Sequence, residues 1–175
     1  MACLNIPVGV SDFAEIRKNG YYYVDKSGLI EELLRTTATK VTLITRPRRF
    51  GKTLGMNMLA EFFDIRKDSR ALFEGLEIDE NTELCNRWMN QWPTIFFSLR
   101  RVDGLDFSGA YDMLCSVITE LCDSHRYLLD SEKISPYDRS VIKNILNFDA
   151  SESDIKNSLL SLTRAMQAYY GKQVI

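Results

Sequence analysis

The chain has little of the residue types that build metal sites and disulfide frameworks. Its 175 residues include one histidine and four cysteines, and no two cysteines form a C-x-x-C pair. A structural zinc site needs about four clustered cysteine or histidine ligands, so the sequence argues against one. We read the cysteines as reduced thiols, which are typical of a cytoplasmic protein.

An excess of charge of one sign is also missing. Lysine and arginine number 22 against 24 aspartates and glutamates, which gives a formal net charge of −2. This balance provides no global attraction to nucleic acid or to an anionic membrane. No apolar run approaches the roughly 20 residues of a membrane-spanning helix, and we find no internal repeat. With 45% hydrophobic residues, the chain can bury a core as one domain.

The most informative stretch that is present covers residues 41–53. Residues 41–44 are apolar and β-branched and predict a buried strand. They lead into RPRRFGKT at residues 46–53, a basic loop (residues 46–51) followed by Lys52 and Thr53. A strand, a loop ending in Gly-Lys-Thr and a helix form the order of a phosphate-binding P-loop, whose backbone N–H groups surround a phosphate.

The basic loop departs from the full pattern G-x-x-x-x-G-K-[ST] at its first position, which is Arg46. The Gly-Lys-[Ser/Thr] ending alone is weak evidence for a P-loop, since it should occur by chance in roughly one chain in ten of this length. Apolar residues at i, i+3, i+4 and i+7 then indicate one face of a helix and strengthen the reading. These residues are Met56, Leu59, Ala60 and Phe63. We therefore favour a P-loop over a plain basic turn.

Each residue of the motif has a predicted role and a plainer alternative. Lys52 would bind the β- and γ-phosphates and, as the catalytic residue, offset the charge that develops during phosphoryl transfer; the alternative is a solvated surface lysine. Thr53 would place its hydroxyl on Mg²⁺, and it could also cap the helix. Gly51 would let the backbone approach the phosphates, or serve as a turn glycine. Further nucleotide-binding residues are predicted at Arg48, Arg49, Phe50 and Leu54. For the arginines, Arg46 included, the alternative is solvent exposure or an ion pair, and for Phe50 it is packing.

At these residues the chain resembles the AAA-ATPase-like proteins of bacteria and archaea, whose relatives include signalling ATPases with a Pro-Arg-Arg-x-Gly-Lys-Thr loop. Residues 7–13 (PVGVSDF), 21–27 (YYYVDKS) and 72–76 (LFEGL) share the resemblance. In such proteins an arginine commonly stands where the first P-loop glycine would be. The resemblance therefore accounts for Arg46.

The resemblance implies an α/β fold of the P-loop NTPase type, a three-layer parallel sheet with flanking helices. We expect strands at residues 41–44 and 93–99, a lead-in over residues 1–28, and an α/β core with a helical insertion over residues 29–175. The last two residues look like the start of another strand, which in the family carries the acidic Walker B residues. The resemblance thus implies the N-terminal part of one ATPase domain, truncated before that strand.

Apolar spacing and capping residues predict the helices. One begins after Asp25 or Ser27, and a second runs from Thr53 to about residue 65. Three more are predicted in the second half of the chain. They start at Asp106 or Ser108, at Ser135-Pro136 and near Ser153, and the last ends at Gly171.

In function, the resemblance implies an ATP-binding domain of an AAA-like ATPase that uses ATP and Mg²⁺. Hydrolysis would need an acid and an arginine beyond residue 175, so we expect binding without efficient turnover. A nuclease-like C-terminal domain of the PD-(D/E)XK type and a second copy of the chain are the expected partners. A P-loop small-molecule kinase is one alternative, and a non-catalytic interaction module with a degenerate P-loop is another.

Several residues outside the loop were weighed for a role. For Asp25 and Lys26, a helix cap with an exposed lysine is favoured over contact with the nucleotide. For the tyrosines at residues 21–23, packing or a surface position is favoured over contact with adenine. The lone histidine, His125, is read as a structural or surface residue. Asp103 is a poor mimic of a Walker B acid, because two arginines separate it from the apolar run.

Overall fold

Helices make up nearly all the regular structure of the chain. The computed structural model describes residues 5–35, 40–47 and 49–175. Within these ranges the one strand-type pairing is an isolated parallel bridge between Asp64 and Trp92. The chain divides into two compact units, Met1–Thr94 and Ile95–Ile175.

In the described residues of the first unit, five α-helices are present. They are α1 (Phe13–Lys18), α2 (Gly28–Leu34), α3 (Lys52–Phe63), α4 (Arg70–Phe73) and α5 (Thr82–Trp88), with a 3-10 helix at Glu77–Glu80 before α5. Three buried phenylalanines tie α1, α3 and α4 together. The ring of Phe73 lies 5.0 Å from that of Phe13 and 5.3 Å from that of Phe62, centroid to centroid. Because aromatic rings bury large areas, this cluster anchors α3 behind the basic loop.

Three α-helices form the second unit. They are α6 (Phe107–Asp123), α7 (Pro136–Leu146) and α8 (Glu152–Tyr170), with a 3-10 helix at Arg126–Asp130 after α6. Helices α7 and α8 pack along each other, and α6 packs on both. Their shared core includes Ile142, Leu162 and Met166, all fully buried.

Capping residues confirm the predicted starts of α6 and α7 and the predicted end of α8. Asp106 accepts a hydrogen bond from the backbone N–H of Gly109 at 2.8 Å, which satisfies a donor at the start of α6. Ser135 does the same for α7, with Pro136 at the first helical position. Gly171 ends α8 in the left-handed conformation, with φ of 66°.

The predicted three-layer parallel sheet is wrong. Residues 41–44 belong to neither a helix nor a strand in the described part of the chain, and Val41 and Leu43 are each 84% exposed. Residues 93–99 are likewise outside helices and strands, and there the N–H of Ile95 donates to the carbonyl of Ile175 at 2.8 Å. A β-branched run favours extended backbone, but a strand forms only where a neighbour supplies ladder hydrogen bonds.

The predicted buried face of α3 is correct only in part. Ala60 and Phe63 are buried, but so are Met58 and Phe62, and Met56 is 46% exposed. The hydroxyl of Tyr23 contacts the sulfur of Met58 at 3.3 Å, and Phe73 covers Phe62. Because neighbours cover this second row, the buried surface of α3 is wider than the i, i+3, i+4 spacing indicated.

Candidate functional site

The basic loop turns sharply just before α3. Arg49 and Gly51 both have positive φ, at 68° and 75°. The conformation suits glycine but is uncommon for arginine, whose Cβ crowds the backbone. Gly51 stands at the N-cap position of α3, and its carbonyl accepts the N–H of Gly55 at 2.9 Å. The two left-handed residues direct the chain into the helix within one turn.

Lys52, the first residue of α3, closes this loop. Its ammonium group donates to the carbonyl oxygen of Arg46 and, at 3.2 Å, to that of Pro47. These two carbonyls belong to the first residues of the loop, so the lysine reaches back across it. A phosphate is a stronger acceptor for an ammonium group than a neutral carbonyl, because the hydrogen bond joins opposite charges.

Lys26 approaches the same loop from the lead-in segment. Its ammonium group donates to the carbonyl oxygen of Phe50 at 3.3 Å. A Cβ atom added to Gly51 would lie 3.4 Å from that nitrogen, which is ordinary contact distance. Two lysines from separate segments therefore converge on one turn. Lys26 is exposed, as the sequence predicted, but its contact with the loop was not predicted, because no spacing signal links positions so far apart.

Hydrogen bonds fix the backbone on both sides of Lys26. The carboxylate of Asp25 accepts the N–H groups of Ser27 at 2.8 Å and Glu77 at 2.7 Å. The hydroxyl of Ser27, which is fully buried, accepts the N–H of Ile78 at 3.1 Å. Ser27 stands at the N-cap position of α2, as predicted, but its side chain makes no capping bond to that helix. The side chains of Asp25 and Ser27 instead bond the start of the 3-10 helix.

The protonation of Asp25 reflects these bonds. Burial would raise the pKa of its carboxyl group, but the N–H groups of Glu77 and Ser27 favour the charged form. The Ser27 side chain and the positive charge of Arg17 act in the same direction, so the pKa of Asp25 lies below its ordinary value. Asp25 thus stays ionised and holds the segment that carries Lys26.

A cleft of about 810 Å³ opens beside the basic loop, and we call it the loop cleft. Its lining includes four cationic side chains and two carboxylates, an excess of two positive charges. The whole chain has a net charge of −2, so positive charge is concentrated here. The charged lining residues are Lys26, Arg35, Arg46, Lys52, Glu32 and Glu77, and the others are Gly28, Leu29, Thr42, Ile44, Phe50, Gly51, Gly55 and Met56.

The predicted site residues are only partly brought together. Phe50, Gly51 and Lys52 line the loop cleft, and the ring of Phe50 is 59% exposed. Thr53 and Leu54 lie half-buried in the first turn of α3, outside the lining set. Of the two other predicted site residues, Arg49 is exposed and Arg48 lies outside the described residues.

Tyr23, His125 and Asp103, which the sequence analysis also considered, do not line the loop cleft. Tyr23 packs edge-on against Phe13 with 5.4 Å between ring centroids, and burial raises the pKa of its hydroxyl. His125 is buried in the second unit, where its Nδ1 lies 2.8 Å from the carbonyl oxygen of Leu121. The structural readings of Tyr23 and His125 are confirmed. Asp103 is exposed in the second unit.

The described residues contain neither a metal-binding cluster nor a membrane-spanning helix. In residues 5–35, 40–47 and 49–175, no group of three or more histidine, cysteine, aspartate or glutamate side chains is arranged to hold a metal ion. Each helix in those ranges is too short or too polar to span a bilayer.

Comparison with known proteins identifies the family. A sequence profile described as a predicted AAA-ATPase matches residues 7–175. The chain belongs to this AAA-ATPase-like family. The matched range covers both units of the structure.

A curated relative matches a shorter stretch. The uncharacterized protein in the vnfD 5'region of Azotobacter chroococcum mcd 1 is 34% identical over 99 residues. Those residues are 56% of this chain and 17% of the relative, so the match spans about a sixth of the relative's length. No solved structure matches the chain.

Proposed function

We propose that the basic loop, Lys52 and Thr53 bind the phosphates of ATP as a P-loop. The observation that carries the proposal is the position of the Lys52 ammonium group, held against the carbonyls of Arg46 and Pro47 directly before α3. Membership of the AAA-ATPase-like family supports ATP as the ligand. The excess of positive charge in the loop cleft also favours an anionic ligand.

The chemistry of binding follows from the groups at the loop. In ATP binding, the phosphate oxygens replace the two carbonyls as acceptors for Lys52. The first N–H groups of a helix lack partners within the helix and favour an anion. No acidic residue stands in the first turn of α3, so nothing there repels a phosphate. Lys52 then offsets charge on the β- and γ-phosphates.

Magnesium fits this site as part of the Mg·ATP complex. Protein-bound Mg²⁺ keeps several waters and takes its remaining ligands from phosphates and a few side chains. Thr53, next to Lys52, offers one hydroxyl, and its backbone carbonyl is fixed by the side-chain amide of Asn57 at 3.2 Å. We propose Thr53 as the protein ligand of the ion, which would neutralise phosphate charge when bound.

Efficient hydrolysis is not part of the proposal for this chain alone. A hydrolytic site needs a positioned water and added positive charge at the transition state. We propose that these come from a partner, either a nuclease-like domain of the same protein or a second copy, and that nucleotide state controls that partner in the cytoplasm. Turnover of this chain alone at about 1 s⁻¹ or faster would contradict this part.

Calorimetric titration with Mg·ATP and Mg·GTP tests the proposed site. We expect micromolar binding of one nucleotide by the wild-type chain, and a loss of roughly 30-fold or more in Lys52→Ala. Lys18→Ala, an exposed lysine on α1 outside the loop cleft, is the control and should bind normally. Unchanged affinity in Lys52→Ala would refute the P-loop assignment. So would the absence of binding by both this chain and the full product of its gene.

A further inference from the structure

We infer that Lys26 is a second phosphate-binding lysine of the loop cleft. The inference rests on the proposed function and adds a residue that the P-loop motif does not contain. The ammonium group of Lys26 lies 3.3 Å from the carbonyl oxygen of Phe50, and that residue lines the same cleft as Lys26 and Lys52. The same nitrogen lies 3.4 Å from the position of a Cβ on Gly51, the residue before Lys52, so both lysines border the same turn of the cleft.

The backbone at Lys26 is fixed before any ligand arrives. Asp25 and Ser27, its two neighbours, are bonded to the N–H groups of Glu77 and Ile78. The backbone of Lys26 is thus held in place, while its flexible aliphatic side chain lets the three N–H donors of the ammonium group reach an anion. A fixed backbone with a mobile ammonium group suits a residue that binds phosphate.

The charges around Lys26 favour a polyanion as the occupant. Arg35, Arg46 and Lys52 share the cleft, and Glu32 and Glu77 offset two of the four positive charges. None of the ion pairs recorded among described residues includes Lys26 or Lys52. Grouping cations in one cleft is unfavourable until an anion fills it. A triphosphate supplies more negative charge than a single phosphate does.

A purely structural role for Lys26 gives a different expectation. If Lys26 only held the loop through the carbonyl of Phe50, its removal would disturb the loop for every ligand and would lower stability. A phosphate-binding role instead predicts losses that grow with the number of phosphates and shrink in salt. It also predicts that arginine restores part of the affinity, since a guanidinium group binds phosphate oxygens.

Titrations of Lys26→Ala, Lys26→Arg and Lys18→Ala test the inference. The probes are Mg·ATP, Mg·ADP and Mg·tripolyphosphate, each at low and at moderate salt. In Lys26→Ala we expect about tenfold weaker binding of ATP and of tripolyphosphate, a smaller loss for ADP, and an unchanged unfolding temperature. We expect Lys26→Arg to recover part of the loss, and Lys18→Ala to match the wild type.

The outcomes separate this inference from the proposed function. If Lys52→Ala loses ATP while Lys26→Ala binds within about twofold of the wild type, the inference is overturned and the P-loop stands. A Lys26→Ala variant that loses ATP but keeps tripolyphosphate also overturns it, because Lys26 would then act away from the phosphates. If the wild type binds no nucleotide, both fail. A fall in unfolding temperature in both Lys26 variants, with equal losses for all three probes, supports the structural role instead.

Discussion

The carboxylate of Asp25 accepts the backbone N–H of Glu77 at 2.7 Å, across 52 positions of the chain. A second oxygen of the same carboxylate accepts the N–H of Ser27. One side chain therefore joins the lead-in, the start of α2 and the 3-10 helix Glu77–Glu80. Since Lys26 lies between Asp25 and Ser27, this joint also fixes the segment that reaches the basic loop.

Asp25→Ala should lower the stability of the first unit in a pH-dependent way. The pKa of Asp25 is lowered in the folded state, so its stabilisation is present above the ordinary carboxyl pKa of about 4 and is lost as pH falls through the folded value. We expect a loss of about 1 kcal/mol at pH 7, which shrinks as pH falls from about 5 toward 2. Urea unfolding followed by tryptophan fluorescence measures it, since Trp88 and Trp92 both belong to the first unit.

The matched control for Asp25 is Asp68→Ala. Asp68 is exposed, and replacing it should change the free energy of unfolding by less than about 0.5 kcal/mol. A difference between wild type and Asp25→Ala that stays constant from pH 7 to pH 3 would contradict the assignment. It would mean that the ionised carboxylate is not the group that holds Glu77.

Phe73→Ala should unfold the first unit more readily than any surface change. The ring of Phe73 is fully buried and contacts Phe13 and Phe62, so truncation leaves a cavity. We expect a cost of about 3 to 5 kcal/mol in the urea experiment. Ile6→Ala, at a side chain that is 63% exposed, is the control and should cost little. A cost below about 1 kcal/mol for Phe73→Ala would show that the three-ring cluster does not anchor α3.

Gly51→Ala and Gly20→Ala form a matched pair. Both glycines have positive φ, at 75° and 62°, so alanine should cost each position about 1 kcal/mol of stability. A Cβ on Gly51 meets the ammonium group of Lys26, whereas a Cβ on Gly20 meets nothing within 4 Å. We expect weaker Mg·ATP binding in Gly51→Ala alone. If Gly51→Ala and Gly20→Ala bind Mg·ATP with equal affinity, the left-handed turn at Gly51 does not contribute to nucleotide binding.

Alkylation should distinguish the cysteines of α6. Burial raises the pKa of Cys122 to about 11, so very little thiolate exists near pH 8. Cys115 is only half-buried and serves as the internal comparison. We expect mass spectrometry after iodoacetamide treatment at pH 8 to show Cys115 modified at least tenfold faster. Equal rates in the folded protein would show that the second unit opens readily.

Local signals predicted much of the second unit, because helix ends depend on nearby residues. Asp106, Ser135 and Gly171 mark such ends, and the structure has caps at all three. Helix caps need no information from distant parts of the chain.

Features that depend on distant partners were predicted poorly. Residues 41–44 have the composition of a strand, but composition does not supply the neighbouring strand that the ladder requires. Within the site, spacing alone singled out Gly51 and Lys52. It could not single out Lys26, whose contact with Phe50 joins residues 24 positions apart.

The contacts of Lys52 with the carbonyls of Arg46 and Pro47 have a consequence for the energetics of ligand binding. Fixing a lysine side chain costs up to about 2 kcal/mol of rotamer entropy. Here that cost is met on folding, because two backbone carbonyls of the chain itself hold Lys52 across the loop. An arriving phosphate exchanges one set of acceptors for another and immobilises little that was free. The contribution of Lys52 to binding should therefore be mainly enthalpic.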